Sequence, residues 1–143
     1  MNKKMNNKGF SLVELIVVIA IMAVLIGVLA PQFIKYVEKS RQSTDITNLD
    51  SCVSAVKVYY TDHTLASGDT VTIKKDGNVF KAFPDNKPLS DVNAQNSVVK
   101  GNWTPTAISA TVKITGSGAG TVQYFGESAY YKTNSTHDQF EAK

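Results

Sequence analysis

Between Phe10 and Ala30 lie twenty-one residues in which Glu14 is the only charge. At 1.5 Å per residue a helix of that length is about 31 Å long, enough to cross a bilayer core of ~30 Å. Such a helix is apolar all round and needs lipid or other helices against it. The stub before it, MNKKMNNKG, is polar and basic, and a mixed body follows from Pro31. The helical signal outlasts the apolar run. Ile46, Leu49, Val53, Val56 and Tyr60 follow +3, +4, +3, +4 spacing and fall within about 80° of one another on a helical wheel. Asp50, Ser51 and Ser54 lie outside that stripe. The spacing predicts one helix from about Phe10 to about Asp62, whose second half is amphipathic and needs a sheet to lie on.

Strand signals follow. In TVTIKKDGNVFKA the pair Asp76-Gly77 reads as a two-residue hairpin turn. That turn sets Ile73 opposite Phe80 and Val71 opposite Ala82 on one apolar face, with Thr72 opposite Lys81 on the other. Further on, Ile108, Ala110, Val112 and Ile114 alternate with Ser109, Thr111 and Lys113. GSGAG breaks this alternation, TVQYF resumes it with Val122 and Tyr124, and SAYYKT reads as a last strand. Pro84, Pro88 and Pro105 mark the stretch between the two strand groups as loop with at most a short edge strand. The expected fold is α+β: one long helix packed on an antiparallel sheet of about four strands.

Charge excludes some partners. The chain holds 15 Lys+Arg against 12 Asp+Glu, and without Lys3, Lys4 and Lys8 the remainder is balanced at 12 against 12. A balanced body has no electrostatic footprint for nucleic acid, which is therefore not indicated as a partner. One cysteine, Cys52, allows neither an intrachain disulfide nor a cysteine metal cage. It flanks the apolar stripe and reads as a small core residue.

Three kinds of segment begin this way. A cleaved secretory signal would end at Val28-Leu29-Ala30, but Pro31 then follows the cut, and the uncharged stretch from Leu15 to Ala30 exceeds the usual 7–15 residues. A plain single-pass anchor leaves Glu14 unexplained, because a carboxylate at a helix centre in lipid costs about 2.5–3.5 kcal/mol, less near an end. Orientation is not set by the flanks either, since Lys3, Lys4 and Lys8 are matched by Lys35, Lys39 and Arg41. The third kind is carried by Lys8-Gly9-Phe10-Ser11-Leu12-Val13-Glu14-Leu15 ahead of a long apolar helix. This stretch resembles the class III signal peptide of type IV pilins and pseudopilins.

The resemblance implies that a membrane prepilin peptidase cuts between Gly9 and Phe10 and that Phe10 becomes an N-methylated first residue. Glu14 is then the fifth residue of the mature chain, and Pro31 falls where the family has its helix-kinking proline. It divides the chain into a leader 1–9, a membrane and filament-core helix 10–30, and a globular pilin domain 31–143. Physical chemistry supports Glu14 in that setting. An acid in a first turn gains only about 0.3–1 kcal/mol from the helix dipole. If a neighbouring helix packs alongside, offset by about a turn, Glu14 meets that neighbour's Phe10 amine and two unpaired charges become one ion pair. Any wrong offset leaves both uncompensated, so the pair fixes stagger. A stagger repeated head to tail does not close and builds a filament. Ala20, Ala23, Gly27 and Ala30 permit close helix approach. Pro31 cannot donate to the Gly27 carbonyl, so a weak point is expected between Gly27 and Pro31.

The remaining candidates carry little chemistry. His63 stands at the expected helix end, and His137, near an expected mobile terminus, has Asp138 and Glu141 close by. Gly116 to Gly120 precedes strand-like residues instead of a helix, which suits a hairpin connection better than a phosphate loop. Asn102-Trp103-Thr104 and Asn134-Ser135-Thr136 match glycosylation sequons. No catalytic residue, cofactor or metal site is expected. Many pilins close a C-terminal loop with two cysteines, and here strand pairing or packing must hold it. The expected role is a structural pilin, made as a precursor in the cytoplasmic membrane and then polymerised into an extracellular fibre for adhesion, motility or uptake. Its partners would be copies of itself, the peptidase, minor pilins and a membrane assembly platform. The alternative is a pseudopilin of a type II secretion or DNA-uptake machine.

Overall fold

The computed structural model describes residues 9–62, 69–83, 87–94, 97–115 and 118–143. The chain forms two compact units, 1–37 and 38–143. One helix, α1 (Leu12–Asp62, 51 residues), contributes to both. It starts two residues later than the apolar run because Ser11 caps it, and it continues without interruption through Gly27 and Pro31. In the first unit the apolar side chains between Phe10 and Tyr36 are exposed, from 89% at Phe10 to 48% at Val18. This part is long and apolar enough to cross a membrane.

In the second unit α1 buries Leu49, Cys52, Val53, Val56 and Tyr60, with Ile46 partly buried beside them. The +3, +4 stripe is therefore the core face, and Cys52 extends it. Opposite lies an antiparallel sheet of seven strands, where about four were expected. These are β1 (Thr70–Asp76), β2 (Val79–Phe83), β3 (Lys87–Pro88), β4 (Thr106–Thr115), β5 (Gly118–Glu127), β6 (Tyr131–Thr133) and β7 (Phe140–Ala142), in the order β3-β2-β1-β4-β5-β6-β7. Strand β6 lies within SAYYKT and β3 within the stretch that allowed a short edge strand, while β7 is three residues long, too short for an alternation to show in sequence.

The β1–β2 hairpin differs in register from the sequence expectation. Asp76 pairs with Val79, so the turn residues are Gly77 and Asn78, and Ile73 faces Ala82 instead of Phe80. Gly77 has φ +62°, while Asn78 is not left-handed. This is the pattern of a type II′ turn, which wants glycine at its first central position. The slip is two residues, so faces are conserved, and Val71, Ile73, Phe80 and Ala82 are all buried as expected.

The four apolar residues of β4, Ile108, Ala110, Val112 and Ile114, are buried. Strand β5 begins at Gly118, earlier than TVQYF, because Thr115 pairs with Gly118 to close a tight hairpin. The C-terminus is ordered into β7, and Phe140 packs its ring 5.5 Å from Trp103 and 5.8 Å from Tyr124. Residues 89–92 form a short 3-10 turn that buries Leu89 and Val92.

Candidate functional site

The N-terminal segment is built around one capping motif. Gly9, Phe10 and Ser11 are non-helical, and Phe10 is fully displayed. Ser11 is the N-cap: its Oγ accepts the Val13 N–H at 3.3 Å and its carbonyl accepts the Leu15 N–H at 3.2 Å. Glu14 returns the favour, accepting the Ser11 N–H on Oε2 at 2.9 Å. Ser11-x-x-Glu14 is thus a capping box, which satisfies reciprocally two donors that a helix start leaves orphaned. The S-x-x-E spacing was there in the sequence, but the charge of Glu14 drew attention from its capping role. A lone anchor therefore does offset part of the cost of this acid, through the Ser11 N–H. The other oxygen, Oε1, accepts nothing among the described residues.

Gly9, Phe10 and Glu14 thus fall within about one helical turn of one another. Gly27 and Pro31 lie far along the same helix, and a Cβ at Gly27 would meet nothing within 4 Å.

A second arrangement escaped sequence reasoning altogether. Three polar residues on one helix face, Glu38, Gln42 and Asp45, reach across to loop segments. Asp45 is fully buried and accepts three N–H donors: Lys100 at 2.8 Å, Gly101 at 2.7 Å and the Trp103 indole at 3.0 Å. The Gln42 amide donates to the Asn102 carbonyl at 2.8 Å, while its oxygen accepts the Ser128 hydroxyl at 2.6 Å. Glu38 accepts the Asn102 N–H at 2.5 Å. Ser128 in turn accepts the Tyr130 and Tyr131 N–H groups at 3.2 and 3.0 Å. No buried side-chain polar atom among the described residues lacks a partner. Gly101 is required by closeness, since a Cβ there would sit 2.7 Å from Gln42 Cγ and 2.8 Å from Asp45 Oδ2. This clasp ties the 100–103 loop and the turn at Ser128 to α1, a task that strand pairing alone does not perform. Gln42 and Asp45 continue the stripe toward the N-terminus at the same spacing, but a polar residue on a core face carries no hydrophobic signal.

Other sequence candidates have structural places. Cys52 is buried, and burial pushes its thiol up to about 12. The Tyr124 hydroxyl is pushed up by burial, with its hydrogen bond to Asp50 adding to the effect. His137 adopts φ +57° and sets its ring against Phe125, centroids 5.0 Å apart and planes tilted by 41°, its carbonyl accepting the Tyr124 N–H. Asn134 is committed to Asp138, donating from its amide at 2.5 Å and accepting the Asp138 N–H at 3.1 Å, whereas Asn102 is exposed. His63, Gly116 and Ser117 lie outside the described residues.

The helix thus starts at a capped acid, presents an exposed apolar stretch and continues into an α+β body. A family model described as the prokaryotic N-terminal methylation motif matches residues 4–30. The chain is 31% identical over 113 residues to a fimbrial protein, EcpC, of Eikenella corrodens, covering 79% of this chain and 67% of that protein. It is 32% identical over 92 residues to the type IV major pilin PilE of Neisseria gonorrhoeae, covering 64% and 53%. It is also 28% identical over 131 residues to PilA4, a type IV wide pilus major component of Thermus thermophilus, covering 90% and 89%. With these likenesses the chain belongs to the type IV pilin family. The chain spans 26%, 53% and 61% of the length of three of the curated relatives it matches, PilE among them. No solved structure matches the chain at a significant level.

Proposed function

We propose that the chain is a structural subunit of a type IV pilus and not an enzyme. On this reading residues 1–9 are a leader cut off by a prepilin peptidase between Gly9 and Phe10, and the new Phe10 amine is methylated. Residues 10–30 hold the precursor in the cytoplasmic membrane and later form the fibre core, with 31–143 as the displayed domain. Minor pilins and a membrane platform assist assembly. The fibre serves adhesion, motility or uptake.

The observation that carries the proposal is Glu14: the lone acid of an exposed apolar helix, held through one oxygen and free at the other. The capping box fixes its side chain, so a neighbour's Phe10 amine meets an oriented acceptor at Oε1. Two further features support polymer packing. A Cβ at Gly27 would meet nothing within 4 Å, and Pro31 removes a hydrogen bond from the same turn, so the helix is weakest there and can bend or melt on assembly. On the amphipathic half, the hydroxyls of Thr44, Thr47, Ser51 and Ser54 all fold back onto carbonyls four residues earlier, at 2.9–3.2 Å. They leave a smooth surface that beside Val58, 67% exposed, suits close contact with another copy.

Glu14→Ala tests the proposal. The variant precursor is expected to stay membrane-bound and to give no fibres by electron microscopy, while wild-type fibres yield by intact mass a subunit that starts at a methylated Phe10. Normal fibres from the variant, or a fibre subunit retaining Met1 to Gly9, would overturn it.

A further inference from the structure

The chain passes between its two units once, along α1, and Glu38 is the first residue of the second. Any load carried from one unit to the other therefore enters the body at that point of the helix. From there toward its C-terminus, α1 meets the body first through polar groups. Glu38 holds the Asn102 N–H, and Gln42 holds the Asn102 carbonyl and the Ser128 hydroxyl. Asp45 takes the N–H groups of Lys100, Gly101 and the Trp103 indole, and Asn48 donates to the Val98 carbonyl at 2.9 Å. The buried apolar stripe of Leu49, Cys52, Val53, Val56 and Tyr60 follows.

A closed body could be built otherwise, since buried charged groups are often replaceable by well-packed apolar ones at no loss of stability. What the polar groups add is stiffness. A hydrogen bond weakens steeply once it is stretched or tilted, whereas apolar contact is non-directional and survives sliding. The bonds of Gln42 and Asp45, at 2.6–3.0 Å, are all near their best length. They resist the first small movement of the helix against the body, which the stripe behind them would allow.

We propose that the clasp is a load-bearing joint: in a fibre it passes axial force from α1 into the displayed body, and its bonds set the force at which the body lets go. The inference rests on the reading of the chain as a fibre subunit, but the joint itself belongs to one molecule. When α1 is pulled from its N-terminal side, the clasp breaks while the stripe is still packed. Interactions already lost in the transition state govern the rate of forced release, and interactions still intact there do not. Clasp variants therefore act on that rate, and stripe variants act on equilibrium stability.

The test stretches the full chain in mild detergent between handles on Gln32→Cys and Lys75→Cys, two exposed positions, with buried Cys52 out of reach of the coupling reagent. At fixed load, Asp45→Asn is expected to speed release at least about tenfold and Glu38→Ala about threefold. Val56→Ala should stay within about twofold, although its urea midpoint falls further than that of Glu38→Ala. Glu38→Ala, whose bond to Asn102 is exposed, guards against an effect of misfolding. With the first handle moved to exposed Thr61, as Thr61→Cys, load reaches the stripe first and the order of the variants should reverse. Wild-type release in both clasp variants, equal speeding by Val56→Ala, or the same order from either end would overturn the inference. The measurement needs no fibre, so its outcome is separate from that of the assembly test on Glu14→Ala.

Discussion

Asp45 is the residue on which the body depends most visibly. A buried acid is costly unless its oxygens are fully used, and here both are, by two backbone N–H groups and an indole N–H. Removing the acceptor strands three donors in or near the core, each worth about 1–3 kcal/mol when left unpaired. Asp45→Ala is therefore expected to cost about 3 kcal/mol or more, measured by urea unfolding. Gly101→Ala attacks the same junction sterically, forcing apart Gln42 and the Asp45 carboxylate, and is expected to cost about 1–3 kcal/mol. Wild-type stability in both variants would show that the loop is held by something else. Glu14 makes the contrasting case. Its local bond to Ser11 is exposed and modest, so its substitution should barely alter the stability of the 38–143 unit while altering assembly.

At the scale of elements, α1 and β4 were legible because each repeats its apolar period over enough residues for one signal to dominate. The β1–β2 hairpin was legible in its faces but not in its register. Asp76-Gly77 and Gly77-Asn78 are both acceptable turn pairs, and the pairing of Asp76 with Val79, with positive φ at Gly77 and not at Asn78, selects the second. Strand β6 falls within SAYYKT and β3 within the stretch that allowed a short edge strand, whereas β7 could not be read, because its three residues gain order from the contact of Phe140 with Trp103 and from pairing with β6 instead of from their own pattern. The chosen turn has a pH signature. The hydrogen bond from Lys81, and then its charge, holds the Asp76 carboxyl below its ordinary range. A lowered carboxyl pKa adds stability that is complete above the ordinary value near 4 and is lost as pH falls through the lowered one. Thermal melts of wild type and Asp76→Asn from pH 7 to 2 should thus differ above about pH 4 and converge below it. A difference independent of pH would mean that the ion pair contributes nothing.

For the molecule as a whole, the clasp decides how a pilin body without a disulfide stays closed. The N-terminal motif was legible as a family resemblance, since a short stretch carries it and a family model matches residues 4–30; the device that secures the C-terminal half was not, because it joins Gln42 to Ser128 and Asp45 to Gly101 across 86 and 56 residues. Two reporters are built in. Trp103 is the single tryptophan, buried and bonded to Asp45, so its emission reads the clasp directly. Cys52 is the single cysteine, buried with its pKa raised to about 12, so it stays a neutral, sequestered thiol. Melting of the full chain in mild detergent, followed by tryptophan fluorescence, should therefore be the same with and without reductant. Alkylating reagent at pH 8 should label Cys52 only as the fluorescence transition proceeds. Asp45→Ala should lower the fluorescence midpoint by about 10 °C or more, as expected for a loss of about 3 kcal/mol in a unit of this size. A midpoint that moves with reductant, or a thiol that labels before Trp103 is exposed, would place closure of the body elsewhere than in the clasp.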